Sequence, residues 1–80
     1  MSERLDVRRM LLARGWTEKR HGLLEKGGAS WAAVNDCGDS SLSGPRRGRP
    51  DDRFTFDFPG DVPARVIVAA AEAAAEVRAV

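Results

Sequence analysis

Three short stretches of this 80-residue chain bring together side chains that could do chemistry. The most basic is Pro45-Arg46-Arg47-Gly48-Arg49-Pro50. A glycine between arginines lets an extended backbone lie deep in a narrow groove. The guanidiniums then run along its floor, where an A·T tract has an enhanced negative potential. The second stretch is Arg20-His21-Gly22, which holds the only histidine and so the only side chain suited to acid–base work near neutral pH. The third is Asp36-Cys37-Gly38-Asp39. A nucleophilic thiolate wants a base or a positive neighbour, and Cys37 has carboxylates on both sides, so it is not expected to act as one.

No further site emerges from the remaining ionisable groups. One cysteine and one histidine supply two ligands at most, against the four of a structural zinc. Asp36 with Asp39, or Asp51 with Asp52, could touch a divalent ion, but neither pair has the spacing of a calcium loop. Gly27-Gly28 lacks the lysine and the following helix of a phosphate-binding loop. The expected catalytic residues, metal ligands and cofactors are therefore none. Trp16 and Trp31 could stack on bases, although core packing is the commoner use of such residues.

These stretches must sit on a small number of elements. Ser2 can cap a helix over residues 3–14, and Val7 with Leu11 and Leu5 with Leu12 lie one and two turns apart on it. Gly15 is a natural stop, with Trp16 placed to pack back on Leu11. A hairpin is predicted over about 18–34, turning at Gly27-Gly28, a pair suited to positive φ at both central positions. Residues 35–53 are rich in Asp, Ser, Gly, Pro and Arg and show no periodicity, which predicts a long flexible loop. Phe54-Thr55-Phe56-Asp57-Phe58 alternates cleanly and predicts a strand over 54–58 with three phenylalanines on the core. Pro63 suits the first turn of a second helix over 63–79. Its apolar stripe is Val66, Ile67, Ala70, Ala73, Ala74 and Val77, with Glu72 and Glu76 opposite.

The expected fold is a single α+β domain spanning residues 1–80, with element order α-β-β-β-α. It has a three-stranded antiparallel sheet and two helices on one face. The expected core is Leu11, Trp16, Trp31, Phe54, Phe56, Phe58 and Ile67. Leu, Ile, Val and Phe number only 17, so the core is modest and a homodimer would supplement it. The formal net charge of +1 is low for a protein that binds nucleic acid with a whole face. The longest apolar run, Val66–Ala71, is too short to span a membrane. A lone cysteine and a charged start without an apolar leader fit a cytoplasmic location. Eleven arginines against two lysines, with 12 alanines, is the usage of a GC-rich genome.

Three resemblances add to this reading. Arg47-Gly48-Arg49-Pro50 resembles the core of an AT-hook, which implies insertion of Arg47 and Arg49 into a DNA minor groove and a phosphate contact from Arg46. Asp51 and Asp52 follow, where that family carries further basic residues. The α-β-β-β-α order, with Leu11-Leu12-Ala13-Arg14-Gly15-Trp16 ending the first helix, resembles the double-stranded-RNA-binding fold and the interferase toxins built on it. That likeness implies an RNase using His21, although Arg20 stands where those toxins have serine. Phe54 to Ala75 resembles the close of small uncharacterised domains of actinobacteria and their phages, which implies no activity. The leading expectation is a non-enzymatic accessory or regulatory module that binds an unknown protein partner. DNA binding through Arg46, Arg47, Gly48, Arg49 and Pro50 is the alternative, and the His21 RNase comes third.

Overall fold

The computed structural model describes residues 3–20, 22–35, 38–46 and 49–76. Helix α1 (Glu3–Ala13) leads into five strands: β1 (Thr17–Arg20), β2 (Leu23–Lys26), β3 (Ala29–Ala33), β4 (Ser40–Arg46) and β5 (Arg49–Phe58). Helix α2 (Ala64–Ala75) follows. The strands pair antiparallel in chain order, β1-β2-β3-β4-β5, so the sheet is a meander with β1 and β5 at its edges. The α+β class and the antiparallel sheet agree with expectation, but the sheet has five strands rather than three.

Local chemistry accounts for the ends of the elements. Gly15 has φ +90°. Its N–H bonds Leu12 and the N–H of Trp16 bonds Leu11, the two-bond pattern of a Schellman stop. Gly27 and Gly28 have φ of +58° and +86° and turn β2 into β3, as their pairing predicts. The expected two-stranded hairpin over 18–34 is three strands, because Thr17–Arg20 and Leu23–Lys26 both pair.

The expected flexible loop over 35–53 is corrected most. Ser40–Arg46 is a strand, and β5 begins at Arg49 rather than Phe54. On β4 the residues facing the helices are Ser40, Leu42 and Gly44, so alternation is carried by one leucine and two small residues. Pro45 is tolerated because it lies beyond the Ser30–Ser43 pair, near the end of β3, and opposite Arg53 of β5. Past that point β4 and β5 continue as a two-stranded ribbon, with Arg46 opposite Arg49.

One face of the sheet carries both helices. Val7 and Leu11 of α1, Ala64, Ile67, Val68, Ala71 and Ala74 of α2, and Leu24, Trp31 and Leu42 of the sheet share one core with Trp16. Leu11, Trp16, Trp31 and Ile67 are buried as expected. Phe54 and Phe58 are half-buried, and Phe56 is exposed, which corrects its placement in the core. The buried stripe of α2 is also turned from the expected one: Val66 and Ala73 are exposed, Ala70 is half-buried, and Val77 lies outside the described residues.

Glu72, expected on the solvent face, is instead half-buried at the seam between the helices and β2. Its carboxylate accepts from Trp16 Nε1 at 3.2 Å and Lys26 Nζ at 3.4 Å, with Arg14 Nη1 at 3.8 Å. Lys26 also donates to the Arg14 carbonyl at 2.8 Å, at the end of α1. Glu72→Ala leaves the Trp16 indole without this acceptor and is expected to destabilise the domain by about 1–3 kcal/mol. Glu72→Gln keeps an acceptor and loses only exposed ion pairs, so its cost is expected to be below about 1 kcal/mol. Urea unfolding at pH 7 checks the ranking, and equal midpoints for the two variants would contradict it.

Candidate functional site

The α2–β5 side of the molecule differs from the rest of the helix face. One cross-strand row runs Glu18, Leu24, Trp31, Leu42, Phe56. Leu24 is 0% exposed, Trp31 1%, Leu42 1% and Phe56 61%. The jump arises because α2 packs over β3 and β4, leaving β5 beyond its cover. Phe56 therefore points to the helix face of the sheet but, among the described residues, is not covered by a helix.

Between α2 and β5 lies a groove of about 320 Å³, lined by Leu42, Phe54, Phe56, Ala70, Ala73 and Ala74. Among the described residues, no ionisable side chain lines it. Small residues keep it open. Gly44 sits beneath the Phe54 ring, and a Cβ there would lie 3.0 Å from the ring and 3.6 Å from Ala74. Phe54 and Phe56 meet with ring centroids 5.6 Å apart at 56°. A concave apolar surface bordering a free strand edge can accept an apolar side chain and a paired backbone together.

The two sheet edges are built differently. β1 has four residues, Thr-Glu-Lys-Arg, and a register irregularity between Glu18 and Arg20. Arg8 of α1 is clamped to it through a bidentate pair with Glu18 at 2.7 and 2.8 Å. That hydrogen bonding and the Glu18 charge hold the Arg8 guanidinium above its ordinary pKa. Short length, charge and irregularity blunt a strand edge against pairing. β5 has ten residues and alternating phenylalanines over its second half.

The basic segment is placed at the far end of the β4–β5 ribbon. Arg46 is exposed and its Nε lies 3.1 Å from Asp52 Oδ2 of β5, a solvent-exposed ion pair across the ribbon. Arg49 and Pro50 begin β5. Their side chains, with Arg47 and Gly48, lie outside the described residues. Across the open face of the sheet, Arg53 donates to the Gly28 carbonyl at 2.9 Å and to Ser43 Oγ at 3.3 Å.

His21, Asp36 and Cys37 also lie outside the described residues. Asp39 has a structural role: its carboxylate accepts from the Gly60 N–H at 2.8 Å and from Asn35 Nδ2 at 3.1 Å. It thereby ties the β3–β4 connection to the chain entering α2. A hollow of about 410 Å³ beside it is lined by Val34, Asp39, Ser40, Asp57, Phe58 and Pro59. Among the described residues, no group of three or more His, Cys, Asp or Glu side chains could hold a metal ion. None of the described helices is long and apolar enough to cross a membrane.

No protein-family model, curated protein or solved structure matches this chain. The sequence does not mark Leu42, Ala70, Ala73 or Ala74 as site residues, and its alternation places Phe54 and Phe56 only in the core. Clean alternation in β5 identifies which residues share a face, but not whether a helix covers them.

Proposed function

We propose that this domain is a non-catalytic binding module that acts by protein–protein contact through the surface between α2 and β5. The observation that carries the reading is Phe56, 61% exposed at the end of a row whose inner members are fully buried. The groove beside it is apolar, and the strand that bears it is a free edge. Together they match the chemistry of an apolar protein segment better than that of a polar small molecule. The minor-groove reading has less support, because Asp51 and Asp52 follow the arginines and Asp52 pairs with Arg46. The RNase reading depends on His21 alone.

The test uses the purified domain as bait for a displayed peptide library. Recovered peptides are expected to be rich in apolar residues. Phe56→Asp and Ala73→Glu are expected to weaken them by about tenfold or more, the scale of a central interface residue. Val34→Asp changes an exposed apolar residue that does not line this groove and is expected to leave binding unchanged. Peptides that bind wild type and Phe56→Asp equally would overturn the assignment of this surface.

A further inference from the structure

We propose that the partner of the α2–β5 surface is a second copy of this chain, with β5 pairing antiparallel to the partner's β5 about a two-fold axis through Thr55. The inference rests on the reading of that surface as the interaction surface, and it names the occupant.

The order of residues along β5 favours pairing of the strand with itself. In an antiparallel pair, directly opposed residues lie on the same face of the sheet. A two-fold pair must also be self-complementary, with each residue opposing the one equally far on the other side of the axis. Thr55, paired to Ser43, lies on the open face, as do Arg53 and Asp57, whereas Phe54 and Phe56 lie on the helix face. Centring the axis on Thr55 opposes Arg53 to the partner's Asp57 and Phe54 to the partner's Phe56, each twice by symmetry. Opposite charges meet on one face and aromatic rings on the other, both favourable cross-strand pairs.

Neighbouring registers lose this match. An axis at Phe54 sets Asp51 against Asp57, two like charges; Asp52 meets a phenylalanine there as it does with the axis at Thr55, where it opposes Phe58. An axis at Arg53 opposes two guanidiniums and sets Asp51 against Thr55. An axis at Phe56 leaves Arg53 opposite Pro59, past the end of the strand. Charge complementarity thus selects one alignment of this strand with itself. Arg53, Phe56 and Asp57 are exposed on this edge strand, and pairing with the partner's Asp57 exchanges the Arg53 contacts to the Gly28 carbonyl and Ser43 Oγ. Pairing would make one continuous ten-stranded sheet from two five-stranded ones. The phenylalanines of both copies would form an apolar strip between the two α2 helices.

Sedimentation equilibrium of the full chain over a wide concentration range tests the dimer. A mass rising toward twice 8.7 kDa is expected. Arg53→Asp and Asp57→Arg each set like charges against each other at two places. Each is expected to raise the dimer dissociation constant by about tenfold or more. The double variant restores opposite charges and is expected to return to within about threefold of wild type. In a Cys37→Ser background, Thr55→Cys is expected to form an intermolecular disulfide under mild oxidation, because the two thiols oppose each other across the axis. Thr17→Cys, on the blunted β1 edge, is not.

A mass of 8.7 kDa throughout would overturn the proposal. So would a double variant that fails to recover, or Thr17→Cys cross-linking in place of Thr55→Cys. A monomer whose selected peptides still require Phe56 would assign the surface to a foreign chain, leaving the binding function intact and removing the second copy. A dimer that meets every test, while selected peptides ignore Phe56, would confine this surface to a second copy of the chain and exclude a foreign peptide from it.

Discussion

Trp31→Ala is expected to remove about 3–5 kcal/mol of stability, the cost of emptying a large aromatic site in a close-packed core. A domain of this length has only about 4–12 kcal/mol in total, so the variant is expected to be largely unfolded under mild denaturant. Trp31 is 1% exposed and lies at the centre of the sheet's helix face, between Leu24 and Leu42 in the cross-strand row. Its indole N–H has no partner among the described residues, so the loss is one of packing and apolar burial. Phe56→Ala, in the same row, is expected to cost the single copy below about 1 kcal/mol because within one copy that ring meets solvent. Urea unfolding followed by circular dichroism compares the two, and Trp16 remains as a fluorescent reporter in both. A cost below about 1.5 kcal/mol for Trp31→Ala would show that the core does not centre on this row.

Among the described glycines, Gly27 is expected to be the one most damaged by a change to alanine. A Cβ at Gly27 would lie 2.6 Å from the Ala75 carbonyl oxygen, a backbone atom near the end of α2. Neither the turn nor the helix can yield without moving its neighbours. The residue also has φ +58°, where a side chain adds roughly 1–2 kcal/mol of strain. With overpacking, the total is about 2–4 kcal/mol, a fall in Tm on the order of 10–20 °C. Gly28 supplies the control. It has φ +86°, but its nearest neighbours are Pro45 carbons at 3.8 Å, so Gly28→Ala adds strain without the clash. Thermal melts of both variants separate the two effects. If Gly27→Ala and Gly28→Ala melt together, contact with α2 contributes nothing.

How far the sequence foretold this fold depended on how each element declares itself. The end of α1 was readable because Gly15 and Trp16 act locally, through bonds to Leu12 and Leu11. The turn at Gly27-Gly28 was readable for the same reason. β4 was not, because its buried face is Ser40, Leu42 and Gly44. Those residues are small for a tertiary reason: Gly44 makes room for the Phe54 ring beside Ala74. The first half of β5 was hidden by Arg, Pro and Asp, which suit the outer end of an exposed ribbon as well as they suit a loop. Phe56 was assigned to the correct face but the wrong environment, since alternation cannot report where a helix stops covering a sheet. Glu72 was placed on the solvent face because its indole partner, Trp16, is 56 residues away.

The meander has a kinetic consequence. Each strand pairs with its neighbour in the chain, so the sheet can assemble from hairpins that close only short loops. Packing of α2 against α1 is different, because the Trp16–Glu72 contact closes a segment of 56 residues. Loop-closure entropy grows only logarithmically with length, so that step is affordable once the intervening strands have shortened the path. The order of assembly that follows is hairpins first and helix docking last. An α2 still undocked would leave Trp31 and Leu42 uncovered, and the rate at which α2 reseats then governs how long this chain is vulnerable to aggregation.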